Sequence, residues 1–300
     1  MLKILVFLLL LSNATFANGC RKDDVHLQVL GSGGPELDDG RNSSGYIVWY
    51  KKQAKILVDA GPGTSTSFSK TGAKFKDLSA ILFTHFHVDH SADFPALIKG
   101  SFFAKRKEDL QIFGPAGNKV MPSATQYLSR IVGESGAYPY LNGYLQKKER
   151  ATYKVFATNV PLNKGKVSKY SLNDNIEISA TAVDHGPIAA IAWRVEVGNC
   201  SLVFSGDMTN RFNALKGLAK NTDLLIANNS IPEKSSKRSM GLHMPPSEIG
   251  KIAKSANVKK ILLSHFMKRT LTTQKETVKS IKRSYSGEIE LATDGKIINL

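Results

Sequence analysis

The sequence predicts an α/β domain of two packed mixed β-sheets flanked by helices. Three observations lead there. Short apolar runs of strand length recur from Val25 to the C-terminus, a few stretches of helical spacing fall between them, and Gly, Pro, Asn and Asp punctuate the joins. The 300 residues are 42% hydrophobic, enough for a sizeable core, and no internal repeat or low-complexity tract breaks the pattern.

The first residues stand apart. Lys3 precedes the apolar run Ile4 to Leu11, and the small, mostly polar Ser-Asn-Ala-Thr-Phe-Ala follows. That order is the order of a secretory signal peptide, with cleavage expected after Ala17, and the apolar run is too short to remain as a membrane span. The expected organisation is a signal peptide over 1–17 and one domain over 24–300, in a periplasmic or secreted protein. Anchoring through a lipidated Cys20 is less favoured, because Ala17-Asn18-Gly19 fits the usual cleavage box poorly. The only other cysteine is Cys200, so an oxidising compartment permits a Cys20–Cys200 disulfide, a pairing that sequence leaves open.

Along the domain, Val25 to Pro35 reads as a strand entering a glycine-rich turn, and Gly45 to Tyr50 and Ala54 to Gly63 as two more strands. Leu78 to His87 is a buried strand with histidines at its C-terminal end. Asp93 to Arg106 is helical, and Leu110 to Pro115 is a strand. From Ala116 to Tyr170 the pattern loosens into tyrosines, glycines, prolines and lysines with one helix near Ser123 to Val132, which reads as an insertion packed on the domain. Asn175 to His185 is a strand. Ile188 to Asp207 forms two strands joined at Gly198-Asn199, a strong hairpin signal. Thr222 to Ser230 is a strand, Ser247 to Val258 a helix with Ser247 as its N-cap, and Lys259 to Phe266 a strand ending in a histidine. A further helix and a terminal strand pair complete the chain.

Composition and motifs narrow the chemistry. The formal net charge is +16, which favours anionic partners. There is no Gly-x-Ser-x-Gly and no phosphate-binding Walker loop, and Gly31 to Pro35 has the wrong spacing for a dinucleotide fingerprint. That glycine run is expected to be a tight turn near the site. Of seven histidines, three lie in the six residues His85-x-His87-x-Asp89-His90. Residues two apart in an extended segment point the same way, so His85 and His87 can grip one ion together. Asp89 and His90, past the bend, can face a second. Two ions about 3.5–4 Å apart can generate a hydroxide nucleophile near neutral pH. His185, Asp207 and His265 each end an apolar strand-like run, where ligands gather in open α/β sheets. His26 matches no motif and has no assigned role.

These stretches resemble the metallo-β-lactamase superfamily, and within it the ribonuclease Z and arylsulfatase-like branch. The carrying motifs are LGSGGP, VDAGPG, THFHVDH, DHGPIAAIAWRVE, VFSGD, GLHMPPSEIGKIA and LLSHF, in family order and over nearly all of the chain after the leader. The resemblance implies an αβ/βα sandwich with His85, His87 and His185 on one metal, Asp89, His90 and His265 on a second, and Asp207 bridging. It implies two Zn²⁺ ions, with manganese or iron as alternatives for such a site. Asp59 in VDAGPG matches an acid that supports the ligands from behind, and His243 matches the general-acid histidine that works beside Asp89 and the metals.

Two departures stand out. Where ribonuclease Z has a glutamate that tunes the general-acid histidine, this chain has Ala227-Asn228-Asn229-Ser230. Where ribonuclease Z carries a long tRNA-gripping arm, between His185 and Asp207, there is room only for a hairpin. With the export leader, these departures make the expected function that of a secreted or periplasmic dinuclear zinc hydrolase of a phosphodiester or sulfate ester, arylsulfatase- or phosphodiesterase-like. The expected partner is a small anionic ester rather than nucleic acid, and a homodimer is left open. The alternatives are a ribonuclease Z-type tRNA 3′-processing endoribonuclease and a zinc-stabilised surface protein that binds anionic ligands.

Overall fold

The computed structural model describes residues 20, 24–146, 151–172 and 175–300. The expected signal peptide, 1–17, lies outside them. Among the described residues, fourteen strands form two seven-stranded sheets. The first sheet has the order β14-β1-β2-β3-β4-β5-β6, from Ile297–Asn299 (β14), Val25–Gly31 (β1), Gly45–Tyr50 (β2), Gln53–Val58 (β3), Ala80–Leu82 (β4), Leu110–Pro115 (β5) and Val155–Val160 (β6). The second has the order β13-β12-β11-β10-β9-β8-β7, from Glu288–Leu291 (β13), Lys260–Ser264 (β12), Leu224–Asn228 (β11), Cys200–Phe204 (β10), Ile188–Val197 (β9), Glu177–His185 (β8) and Val167–Ser171 (β7). In each, an antiparallel meander passes into parallel strands: β3 to β6 in one, β10 to β13 in the other.

Helices cover the outer faces: Thr64–Lys70 (α1), Val88–Ser91 (α2), Phe94–Ser101 (α3), Ala124–Val132 (α4), Gly143–Gln146 (α5), Leu215–Leu218 (α6), Lys237–Met240 (α7), Pro246–Ser255 (α8), Lys268–Leu271 (α9) and Gln274–Lys282 (α10). The period-two alternation of the first sheet explains its two cores. Val25, Leu27, Val29, Val48, Ile56 and Val58 face the second sheet, while Ile47, Trp49, Leu57 and Ile81 turn outward against Phe68, Phe94, Leu97 and Leu128 of the helices. The central strands β10, β11 and β12 of the second sheet are apolar on both faces and read as near-continuous runs, as expected of strands buried on both sides.

Several expectations change. The histidine-bearing strand is short, because β4 ends at Leu82 and the donors sit on the loop beyond it. The helix expected to reach Arg106 stops at Ser101, and the buried Arg106 guanidinium instead donates to the carbonyls of Phe75, Lys76, Leu78, Glu108 and Asp109. The segment 116–170 is more than an appended insertion: it contributes β6 and β7, an edge strand for each sheet, and α4, whose N-cap Ser123 forms a capping box with Gln126. Ser247 is not an N-cap. Pro245 holds that position, Pro246 opens α8, and the Ser247 amide donates to Glu233. The terminal strands do not pair with each other: β13 joins β12 and β14 joins β1, one in each sheet. The hairpin at Gly198-Asn199 forms with both residues at positive φ, 57° and 63°. Cys20 and Cys200 form a disulfide.

Candidate metal centre

The polar residues buried most deeply lie where the carboxyl ends of strands from both sheets converge. From the first sheet come Asp59, just after β3, and Thr84 to His90, after β4 and into α2. From the second come His185 at the end of β8, Asp207 after β10, Asn228 at the end of β11 and His265 after β12. Asp59 and His265 have left-handed backbones, φ 57° and 54°, a strain that non-glycine residues carry mostly at functional positions. The glycine turn after β1 brings the two halves together: the Gly34 amide donates to the Phe266 carbonyl and the Phe266 amide to that of Ser32. A Cβ on Gly34 would stand 2.9 Å from the His265 ring, so only glycine fits this approach.

The sequence-predicted donors fall into two adjacent groups, either of which could hold a metal ion. His85, His87, His185 and Asp207 form one, and Asp89, His90 and His265 the other. His85 Nε2 lies 3.0 Å from His87 Nδ1. His265 Nε2 lies 3.1 Å from His90 Nε2 and 3.2 Å from Asp89 Oδ2. Asp207 faces both groups, with Oδ1 3.3 Å from His265 Nε2 and Oδ2 3.7 Å from His185 Nε2.

The far side of each ring shows why these nitrogens suit a cation. His90 Nδ1 lies 2.8 Å from Asp59 Oδ2, and His185 Nδ1 lies 2.9 Å from the Leu242 carbonyl. Both partners can only accept, so each Nδ1 carries a proton and each Nε2 is the nitrogen turned to the cluster, free to ligate once any proton on it is displaced by a metal ion. His185 Nε2 is buried without a hydrogen-bond partner, the state of a donor atom shaped for an ion. Ser230 Oγ holds His265 Nδ1 at 2.9 Å, and Thr84 Oγ1, which donates to Asp59, lies 3.1 Å from His85 Nδ1. Thr84, Asn228 and Ser230 were missed in the sequence reading. Their only signal was position at a strand end beside an assigned ligand.

The electrostatics also call for positive charge. Burial alone would lower His90, but Asp89 and Asp59 outweigh it and raise it to about 9. His265 is raised as well, since Asp207 and Asp89 overcome its burial. Burial would raise Asp89, yet His90 and His265 hold it at about 2, and Asp207 is held far below the carboxylate range by its ring of histidines despite complete burial. The carboxylates thus stay ionised and draw protons onto neighbouring rings where a metal cation would serve. His85 is pushed well below its ordinary value by burial and then by the neighbouring histidines, which leaves it neutral and able to ligate.

His243, expected to donate a proton, stands at the wall of this cluster just before α8, its Nδ1 3.9 Å from Asp207 Oδ2. Burial lowers it to about 4, against the pull of Asp207. The stretch Ala227 to Ser230 supplies no acid to tune it, and Asn228 within that stretch donates its side-chain amide to Asp207 Oδ1 at 2.8 Å. A cavity of about 550 Å³ opens over the donors, walled by Pro35, Pro187, Ile188, Leu242 and Met267, with Arg238 at its side. A larger cavity of about 920 Å³ beside Cys200 is remote from the chemistry and contains none of the donors.

Comparison with known proteins decides the family. A profile of the beta-lactamase superfamily domain matches residues 54–266, which include every donor described above. The chain belongs to that superfamily. A curated relative, Ribonuclease Z of Clostridium tetani, is 28% identical over 287 residues, covering 81% of this chain and 88% of its own. Among solved structures, the metallo-beta-lactamase fold protein YhfI of Bacillus subtilis superposes with a TM-score of 0.70 at 20% identity, covering 92% of this chain and 100% of its own. The short form of human tRNase Z gives 0.65 at 19% identity, covering 91% of this chain and 98% of its own. The sandwich fold is therefore that of the superfamily, and the chain is a metal-dependent hydrolase.

These relatives correct one expectation. The main reading, an exported arylsulfatase- or phosphodiesterase-like enzyme, gives way to the ribonuclease Z alternative, because relatives matched along most of the chain bear the name Ribonuclease Z. The physical reason is plain. Sulfate and phosphate esters call for the same donor set, so the superfamily's ligands cannot separate them, and a short loop between His185 and Asp207 says only that no arm is there. Among the described residues, no helix is long and apolar enough to cross a membrane.

Proposed function

We propose that the chain is a ribonuclease Z-type endoribonuclease that hydrolyses a phosphodiester bond in RNA, with tRNA precursors as its substrate class. One observation carries the reading: a complete, internally braced donor set lies in a chain similar along most of its length to proteins named Ribonuclease Z. In this reading His85, His87, His185 and Asp207 would hold one zinc, and Asp89, His90 and His265 the other. When bound, the metal pair supplies Lewis-acid chemistry at the phosphoryl group.

The chain's own residues do the rest. Asp59, Thr84, Ser230 and the Leu242 carbonyl fix the tautomers and orientation of the ligating rings. Arg238 at the cavity wall attracts the phosphate, and the Pro187, Ile188 and Leu242 wall excludes water around it. His243 holds the proton for the leaving oxygen. Its low value in the free protein favours the neutral ring, and an anionic phosphodiester bound beside it favours the protonated one, which places the acid where it is used. The Cys20–Cys200 disulfide supports maturation in an oxidising compartment, which cell fractionation with thiol labelling tests.

The test is incubation of the zinc-loaded protein with precursor tRNA. Cleavage at the 3′ boundary, lost with chelator and with His243→Ala, is the expected result. Precursor left intact while a bis-aryl phosphate is turned over rejects the reading.

A further inference from the structure

Away from the metal centre, the end of α3 and the chain after α4 expose a cluster of rings. Phe103 is 75% exposed and Tyr140 66%, with Phe102 and Tyr138 beside them. The Phe102 and Phe103 rings meet edge-on at 5.2 Å, and Tyr138 and Tyr140 at 6.4 Å. Lys99 joins the two pairs, its ammonium 5.0 Å from the centre of Phe102 and 5.8 Å from those of Phe103 and Tyr140. Grouped exposed aromatics mark an interaction surface rather than ordinary surface. Lys105, two residues beyond Phe103 in the chain, is exposed, and among the described residues no ion pair to a carboxylate is formed by Lys99 or Lys105.

We propose that this patch of Lys99, Phe102, Phe103, Lys105, Tyr138 and Tyr140 docks single-stranded RNA, with unpaired bases stacking on its rings and phosphates meeting its lysines. The inference rests on the ribonuclease reading and deepens it by locating a grip on the substrate outside the cavity. Flat ring faces beside unpaired ammonium groups, on a chain of net charge +16, complement a strand that presents bases and phosphates together. The patch is also tied to the site. It hangs from the far end of α3, which follows directly on His90 and α2 and extends about 12 Å along its axis.

The test compares wild-type protein with the Phe103→Ala, Tyr140→Ala double variant, both of whose sites are exposed. Binding of a fluorescein-labelled oligouridylate of about 12 nucleotides is followed by anisotropy, with chelator present to prevent cleavage. Loss of about tenfold affinity per ring is expected, with bis-aryl phosphate turnover of the zinc-loaded variant unchanged. Equal binding by both proteins, or no binding by wild type, overturns the proposal. So does a variant that keeps its RNA affinity but loses affinity for phosphatidylserine vesicles, which assigns the patch to a lipid surface. A wild type that grips the oligonucleotide through the patch yet leaves precursor tRNA uncut upholds the docking surface and rejects the ribonuclease reading alone.

Discussion

The Asn228 side-chain amide donates to Asp207 Oδ1 across 2.8 Å in the buried floor of the site, so a neutral donor fixes the carboxylate that faces both donor groups. Asn228→Ala removes that donor and frees Asp207 to rotate. The expected outcome is a metal affinity 10- to 100-fold weaker, in the range for lost outer partners, with an unchanged far-UV circular dichroism spectrum. Competition with a chromogenic chelator measures it, and wild-type affinity in the variant removes Asn228 from this role.

Asp59 accepts from the Thr84 amide and hydroxyl and holds His90 Nδ1. Asp59→Ala orphans a buried N–H and releases the ring. Stability should fall by about 1–3 kcal/mol, and metal affinity by one to two orders of magnitude. Urea unfolding and metal titration read the two separately.

His243 Nδ1 has no hydrogen-bond partner among the described residues and stands 3.9 Å from Asp207 Oδ2, so the ring can be removed without dismantling the cluster. His243→Ala should lower RNA cleavage by about 10²–10⁴-fold while metal content stays at the wild-type level. A variant that loses metal in parallel with activity would place His243 among the ligands instead.

The Cys20–Cys200 bond closes a loop with a sequence separation of 180. Reduction, or the paired Cys20→Ser, Cys200→Ser substitution, should cost about 2–4 kcal/mol. Thermal unfolding with and without reductant checks it, and identical midpoints reject a stabilising bond.

Chelation should destabilise the protein independently of catalysis. Ions that bind only the folded cluster add stability that grows with the logarithm of their free concentration. A melting temperature indifferent to added zinc between chelated and saturated states contradicts a pre-built site.

Much of this centre was legible in the chain because its parts sit at strand ends. The seven donors and Asp59 could be picked out one motif at a time, each an apolar run closing on a histidine or aspartate. The braces were not. Thr84, Asn228 and Ser230 are ordinary strand-end residues in sequence, and their roles come from β4 lying beside β3 in one sheet and from β11 lying between β10 and β12 in the other. The edge strands β6 and β7 escaped notice because an edge strand is half exposed and its polar alternation resembles a loop. The two C-terminal strands were misread for a different reason. Pairing of β13 and β14 with separate sheets depends on contacts far away in sequence, which local pattern does not encode. The substrate was misjudged because the ligands that were easiest to read are those least specific to it.

Strand β10 begins at Cys200, bonded to the start of the chain, and runs out to Asp207 among the donors. It is therefore tied at one end by a covalent link to a residue that precedes β1 in the chain, and with ions bound it would be tied at the other end to donors from the first sheet. The two moorings respond to different agents, reductant and chelator. Slackening one leaves the other in place, so reductant and chelator should each lower the stability of the sandwich separately, above what the apolar core shared by both sheets retains.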